Sequence, residues 1–66
     1  MKVENNMEYK IIDWAYNRMF PNKTFKTFDH ALAFVDERFS GDEIQDILIV
    51  PCNTRCYANG YWSTMN

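Results

Sequence analysis

The sequence predicts an α+β domain: a small, mostly antiparallel sheet of three to four strands, including a C-terminal hairpin, with one helix packed on a face. Three observations carry this reading. Residues 28–39 repeat apolar side chains at helical spacing, residues 46–51 form a β-branched run, and residues 57–62 hold an Asn-Gly pair between aromatic arms.

The helix is expected from Phe28 to Phe39. Thr27 is placed to cap its first turn, and Asp29 sets a negative charge where the helix dipole favours one. Phe28, Ala31, Leu32, Val35 and Phe39 fall on one stripe that can lie on a sheet, while Asp29, His30, Ala33, Asp36 and Glu37 take the opposite side. Phe34 lies beside the stripe, next to Arg38. It reads either as a flank covering the sheet edge or as an exposed anchor for a partner. Ser40 and Gly41 end the helix, with Gly41 as the left-handed residue after the cap.

Asp46-Ile47-Leu48-Ile49-Val50-Pro51 reads as a strand buried on both faces or nearly so. In Tyr57-Ala58-Asn59-Gly60-Tyr61-Trp62, Asn-Gly suits a type I′ turn, whose two central residues need positive φ. A two-residue loop sets Ala58 against Tyr61, Tyr57 against Trp62 and Cys56 against Ser63. The Tyr57–Trp62 pair is worth about 0.2–1 kcal/mol to the hairpin. Residues 9–16 alternate as a strand with Ile12, Trp14 and Tyr16 on one face, and also fit a helical stripe. The Ile, Trp and Tyr content favours the strand. Pro21-Asn22-Lys23 then makes a turn that returns Thr24-Phe25-Lys26 alongside.

Asp13-Trp14-Ala15-x-Asn17, Met19-Phe20, Thr24-Phe25-Lys26-Thr27-Phe28-x-x-Ala31 and Ile49-Val50-Pro51 together resemble segments of certain short uncharacterised proteins of tailed bacteriophages. The resemblance spans residues 9–51, and Tyr16 stands where those proteins carry Gly. It implies a strand, turn, helix and strand in this order and a phage or prophage origin. It brings no activity with it.

Length allows a single domain over 1–66, with 1–6 expected as a flexible N-terminal arm. So short a chain gains only about 3–5 kcal/mol from its core, which invites a second stabilising device such as self-association. One helix covers one sheet face, so a homodimer or a hetero-complex is expected to cover the other. The net charge of −2 lacks the basic stripe of a dedicated nucleic-acid binder. The longest apolar run falls well short of a membrane span of about 20 residues. The first residues carry no apolar signal core, so the expected location is the cytoplasm, that of the host cell if the protein is viral.

Catalytic groups are sparse. His30 is the single histidine, on the expected solvent side of the helix, with no nucleophile and orienting acid assigned to it. Cys52-x-x-x-Cys56 offers two ligands where a structural zinc site takes four, so no metal and no cofactor are expected. In a reducing compartment the two thiols stay free, unless a tight turn at Asn53-Thr54-Arg55 brings them face to face. Asp36, Glu37, Asp42, Glu43 and Asp46 gather five of nine acids in one stretch, which reads as a solvated face.

Eleven aromatic residues in so short a chain exceed what its interior can take. The sequence therefore points away from an enzyme and toward protein–protein binding by a small phage-type accessory protein. Such a protein could inhibit or modulate a host protein of the defence or transcription machinery. Tyr57, Tyr61 and Trp62 on the hairpin are the expected anchors, with Phe34 as a fourth. The alternative is a nucleic-acid-binding module in which the hairpin aromatics stack on bases and Arg55 meets phosphate.

Overall fold

The structure is a computed structural model and describes residues 8–64. The arm expected at 1–6 lies outside the described residues. Five strands, one α-helix and one 3-10 segment follow in the order β1 (Tyr9–Asp13), β2 (Arg18–Met19), α1 (Phe28–Arg38), the 3-10 turn Gly41–Asp46, β3 (Ile47–Pro51), β4 (Cys56–Ala58) and β5 (Tyr61–Ser63). This is the α+β fold expected, with an antiparallel three-stranded sheet, a C-terminal hairpin and one helix.

The sheet runs β2-β1-β3, so β1 is the central strand. Its pairing with β3 sets Ile11 opposite Ile49 and Ile12 opposite Leu48, and its pairing with β2 sets Ile11 opposite Met19. Residues opposite each other share a face. Tyr9, Ile11, Ile47, Ile49 and Met19 therefore line one side, and Lys10, Ile12, Leu48, Val50 and Arg18 the other. Ile11 and Ile12 are both buried, so both faces of β1 are covered.

The helix covers the first face. Thr27 accepts the His30 N–H at 3.1 Å and caps it, Asp29 occupies the first turn, and the Phe28 ring meets Tyr9 edge-on at 6.0 Å. The stripe is rotated from the one expected. Ala31 and Val35 are buried, while Phe28 and Leu32 are exposed, Leu32 at 39%. The rotation turns Phe34 inward, where its ring packs on Phe20 at 5.0 Å and Phe25 at 5.1 Å. The helix also stops one residue early. Phe39 is an extended cap whose N–H reaches the Val35 carbonyl, and Gly41, at φ 59°, opens the 3-10 turn instead of closing the helix.

The second face is covered in part by the chain itself. β3 lies at one edge of the sheet, whereas Tyr57 of β4 bridges to Asn17 beside β2 at the other. Residues 52–56 must therefore cross the sheet, and the contacts of Lys10 with Thr54 and Cys56 place the crossing on the Lys10 side. Lys10 and Ile12 on this face are buried, while Leu48 on the same face stays exposed. The hairpin forms a separate two-stranded sheet and does not extend the main one along its ladder.

Two further expectations change. The strand expected over 9–16 ends at Asp13, because the Asp13 carboxylate takes the N–H groups of Ala15 and Asn17 and bends the chain back. β3 is an edge strand and leaves Leu48 exposed, so it is not buried on both faces. The expected return of Thr24-Phe25-Lys26 is present as a single antiparallel bridge, in which Tyr9 and Phe25 exchange both backbone hydrogen bonds at 2.7 and 2.9 Å. No helix among the described residues is long and apolar enough to cross a membrane.

Candidate aromatic interaction site

Asn59 and Gly60 hold φ of 57° and 91°, the pair of positive values that a type I′ turn needs. That turn fixes the register Ala58–Tyr61, Tyr57–Trp62 and Cys56–Ser63. Tyr57 and Trp62 then meet on one face, ring centroids 5.6 Å apart and inclined at 66°. The Arg55 guanidinium stands over the Trp62 ring at 5.6 Å from its centroid. All three side chains are exposed, Trp62 at 46%. Tyr61 projects from the other face of the hairpin and is 55% exposed.

The turn after β1 supplies two more rings. Its geometry comes from Asp13, whose carboxylate accepts from the Ala15 N–H at 2.8 Å, the Asn17 N–H at 2.9 Å and the Asn17 side-chain amide at 3.2 Å. The backbone N–H of Asn17, with smaller help from its side chain and from Ala15, holds the Asp13 carboxyl below the usual carboxylate range against the effect of burial. The turn leaves Trp14 71% exposed and gives Tyr16 a left-handed backbone and an exposed ring. Tyr57 donates its N–H to the Tyr16 carbonyl at 2.8 Å, which joins the turn to the hairpin. Sequence reasoning placed Trp14 and Tyr16 in a strand and missed them as surface residues. Asp13 and Asn17, four residues apart with the stereochemistry of a side-chain-closed turn, were the signal available.

Phe34 does not join this group. Its ring contacts are with Phe20 and Phe25, and the Arg38 guanidinium stands over it at 4.5 Å with the Lys23 ammonium at 5.3 Å. Phe39 adds to the cluster through Phe20 at 6.1 Å. Phe34 thus takes the flank position, half-buried between aromatic neighbours and two cations. No family model, no curated protein and no solved structure matches the chain.

The two cysteines are free, Cys56 buried and Cys52 half-buried. The Thr54 N–H closes a turn onto the Pro51 carbonyl at 2.9 Å, with Cys52 inside the turn. Burial pushes the Cys52 thiol up, against the pull of the positive Arg18 and Lys10 nearby. Lys10, which nothing in the sequence singled out, is wholly buried beneath the crossing segment. His30 is exposed at the helix start, where its backbone rather than its ring is used.

Proposed function

We propose that this protein acts by binding another protein through the aromatic end formed by the hairpin and the turn after β1. The observation that carries the reading is the set of exposed rings on two joined loops: Trp14 and Tyr16 on the turn, and Tyr57, Tyr61 and Trp62 on the hairpin tied to it by one backbone hydrogen bond. Tyr and Trp offer large contact area at little loss of rotamer freedom, and they dominate binding hot spots for that reason. The Asp13 hydrogen bonds and the type I′ turn hold the two loops before any partner arrives, which lowers the ordering cost of association.

The reading extends to a non-enzymatic accessory protein of the phage type that the sequence resembles, working in the cytoplasm of a host cell. Its partner would be a host or phage protein whose activity it inhibits or modulates, in a hetero-complex or as a homodimer.

Nucleic-acid binding is the weaker reading. It needs cations on the same face as the stacking rings, and Arg55 is the cation seen over a hairpin ring. Lys23 and Arg38 are spent on Phe34 instead. Immobilised protein exposed to bacterial lysate, with and without nuclease, tests the choice. Capture of a protein that resists nuclease and falls tenfold or more in Trp14→Ala, Tyr57→Ala or Trp62→Ala supports the proposal. Capture abolished by nuclease favours the alternative, and capture indifferent to all three folded variants rejects the aromatic end.

A further inference from the structure

Lys10 is the second residue of the central strand and is 0% exposed, as is Cys56. Strand alternation aims Lys10 at the face that residues 52–56 cross. Its Nζ donates to the Thr54 carbonyl at 2.5 Å and to Cys56 Sγ at 3.2 Å. No carboxylate is among its hydrogen-bond acceptors in the described residues. A buried ammonium facing a thiol and a buried amine–thiol pair are both unusual surroundings for lysine, since burial of charge without a counter-charge is costly. Nitrogen and sulfur, two atoms that peroxide can oxidise, thus meet at one buried contact.

We propose that Lys10 and Cys56 form an oxidative modification site, at which peroxide joins Lys10 Nζ to Cys56 Sγ through a single oxygen atom. In the first step the Cys56 sulfur attacks one oxygen of hydrogen peroxide. The O–O bond breaks, the sulfur gives up two electrons, and a sulfenic acid and one water result. In the second, the Lys10 nitrogen gives up two electrons to a second peroxide and bonds to the oxygen that sulfur carries. One N–H and the S–O–H proton leave with the peroxide oxygens as two waters. One lysine amine, one thiol and two peroxides thus yield the N–O–S link and three waters.

Geometry favours this product over its rivals. A direct S–N bond requires the two atoms to close from hydrogen-bond contact to bonding distance, in a sheet interior whose backbone is held by ladders on both sides. An interposed oxygen lets them bond while staying much nearer their present separation. Cys52 is the other possible trap for a sulfenic acid at Cys56, but the two thiols are free of each other, whereas Lys10 already touches the Cys56 sulfur. The cover over the pair is short, and its members Asn53 and Arg55 are exposed, so a local opening admits a molecule as small as peroxide.

The experiment is hydrogen peroxide treatment of the full chain and of Cys52→Ser, followed by intact mass and non-reducing peptide mapping. The expected product gains one oxygen and loses two hydrogens, links the Lys10 peptide to the Cys56 peptide, and returns to the starting mass with dithiothreitol. It forms in Cys52→Ser as well, and its melting temperature exceeds that of the untreated chain because the link closes a loop between positions 46 apart. Lys10→Arg should abolish it, but the mass result in Cys52→Ser stands whether or not that variant folds. A Cys52–Cys56 disulfide in the parent chain, with Cys56 in Cys52→Ser carried only to sulfinic or sulfonic acid, overturns the proposal. So does a lasting gain of oxygen with no linked peptide.

Discussion

Tyr57 donates its backbone N–H to the Tyr16 carbonyl at 2.8 Å, and Tyr16 presents that carbonyl from a left-handed backbone at φ 67°. One main-chain hydrogen bond therefore ties the hairpin to the turn that ends β1, and it does so from a conformation that suits glycine better than tyrosine.

Tyr16→Gly follows directly as a test. The left-handed region costs a residue with a Cβ on the order of 1–2 kcal/mol, and the bridge uses only backbone atoms. The ring that is removed is exposed. The melting temperature should stay level or rise. Phe20, at φ 51°, should behave in the opposite way, because its ring packs on Phe34 and Phe39. Phe20→Gly is expected to lose about 2–3 kcal/mol, less than a fully buried ring would, because Phe20 is half-buried. Chemical denaturation of the two variants separates strain that is tolerated from strain that packing enforces.

Asp13 makes the turn sensitive to acid. Its carboxyl is held below the ordinary value of 3.8 by the Asn17 N–H first, then by the Asn17 side chain and the Ala15 N–H. A depressed folded value means that the carboxylate stabilises the fold at pH above the unfolded value, and that this contribution is lost as pH falls through the folded one. With its three turn hydrogen bonds lost, Asp13→Ala should cost about 1 kcal/mol at pH 7, solvent screening keeping the figure low. The gap between parent and variant should narrow progressively once the pH drops below 3.8. A gap that stays constant into strong acid would assign the loss to something other than the charged form.

Val35 and Leu32 mark the true core stripe of α1. Val35 is buried against the sheet and Leu32 is 39% exposed. Val35→Ala removes two methyl groups from a closed interior and should cost about 2–3 kcal/mol, a large share of the stability of so small a domain. Leu32→Ala should cost less than about 1 kcal/mol, because its side chain keeps much of its water contact when folded. Urea titrations with equal slopes for both variants would make the comparison direct.

These residues also show what a sequence of this kind discloses. The hairpin was legible because Asn59-Gly60 permits few backbone solutions, and the register of Tyr57 and Trp62 follows from the loop length alone. The start of the helix was legible because Thr27 caps a clear apolar repeat. Its rotation was not, since Leu32 and Phe34 are both apolar and their burial depends on Phe20 and Phe25, residues brought in by a separate loop. Lys10 was illegible for a different reason. A lysine between Tyr9 and Ile11 reads as the solvent side of a strand, and its burial requires the crossing of residues 52–56, more than forty positions away. The exposed Trp14 was hidden because it continues a strand-like alternation that the Asp13 side chain interrupts.

The last expectation separates stability from binding among the aromatics. Phe34 packs on Phe20 and Phe25 and lies under Arg38 and Lys23, so Phe34→Ala removes ring contacts and two cation–π partners together. A loss of about 2–4 kcal/mol is expected, visible as a lowered denaturation midpoint. Trp62 touches Tyr57 on one side and Arg55 above, but remains 46% exposed, so Trp62→Ala should cost about 1 kcal/mol or less. The order reverses for association. Trp62→Ala should weaken partner binding by about 2 kcal/mol or more, while whatever Phe34→Ala protein remains folded should bind as the parent does. Measuring both midpoints and both affinities on one preparation gives four numbers. Phe34→Ala binding that falls in step with Trp62→Ala would place Phe34 in the interface and move the site away from the hairpin.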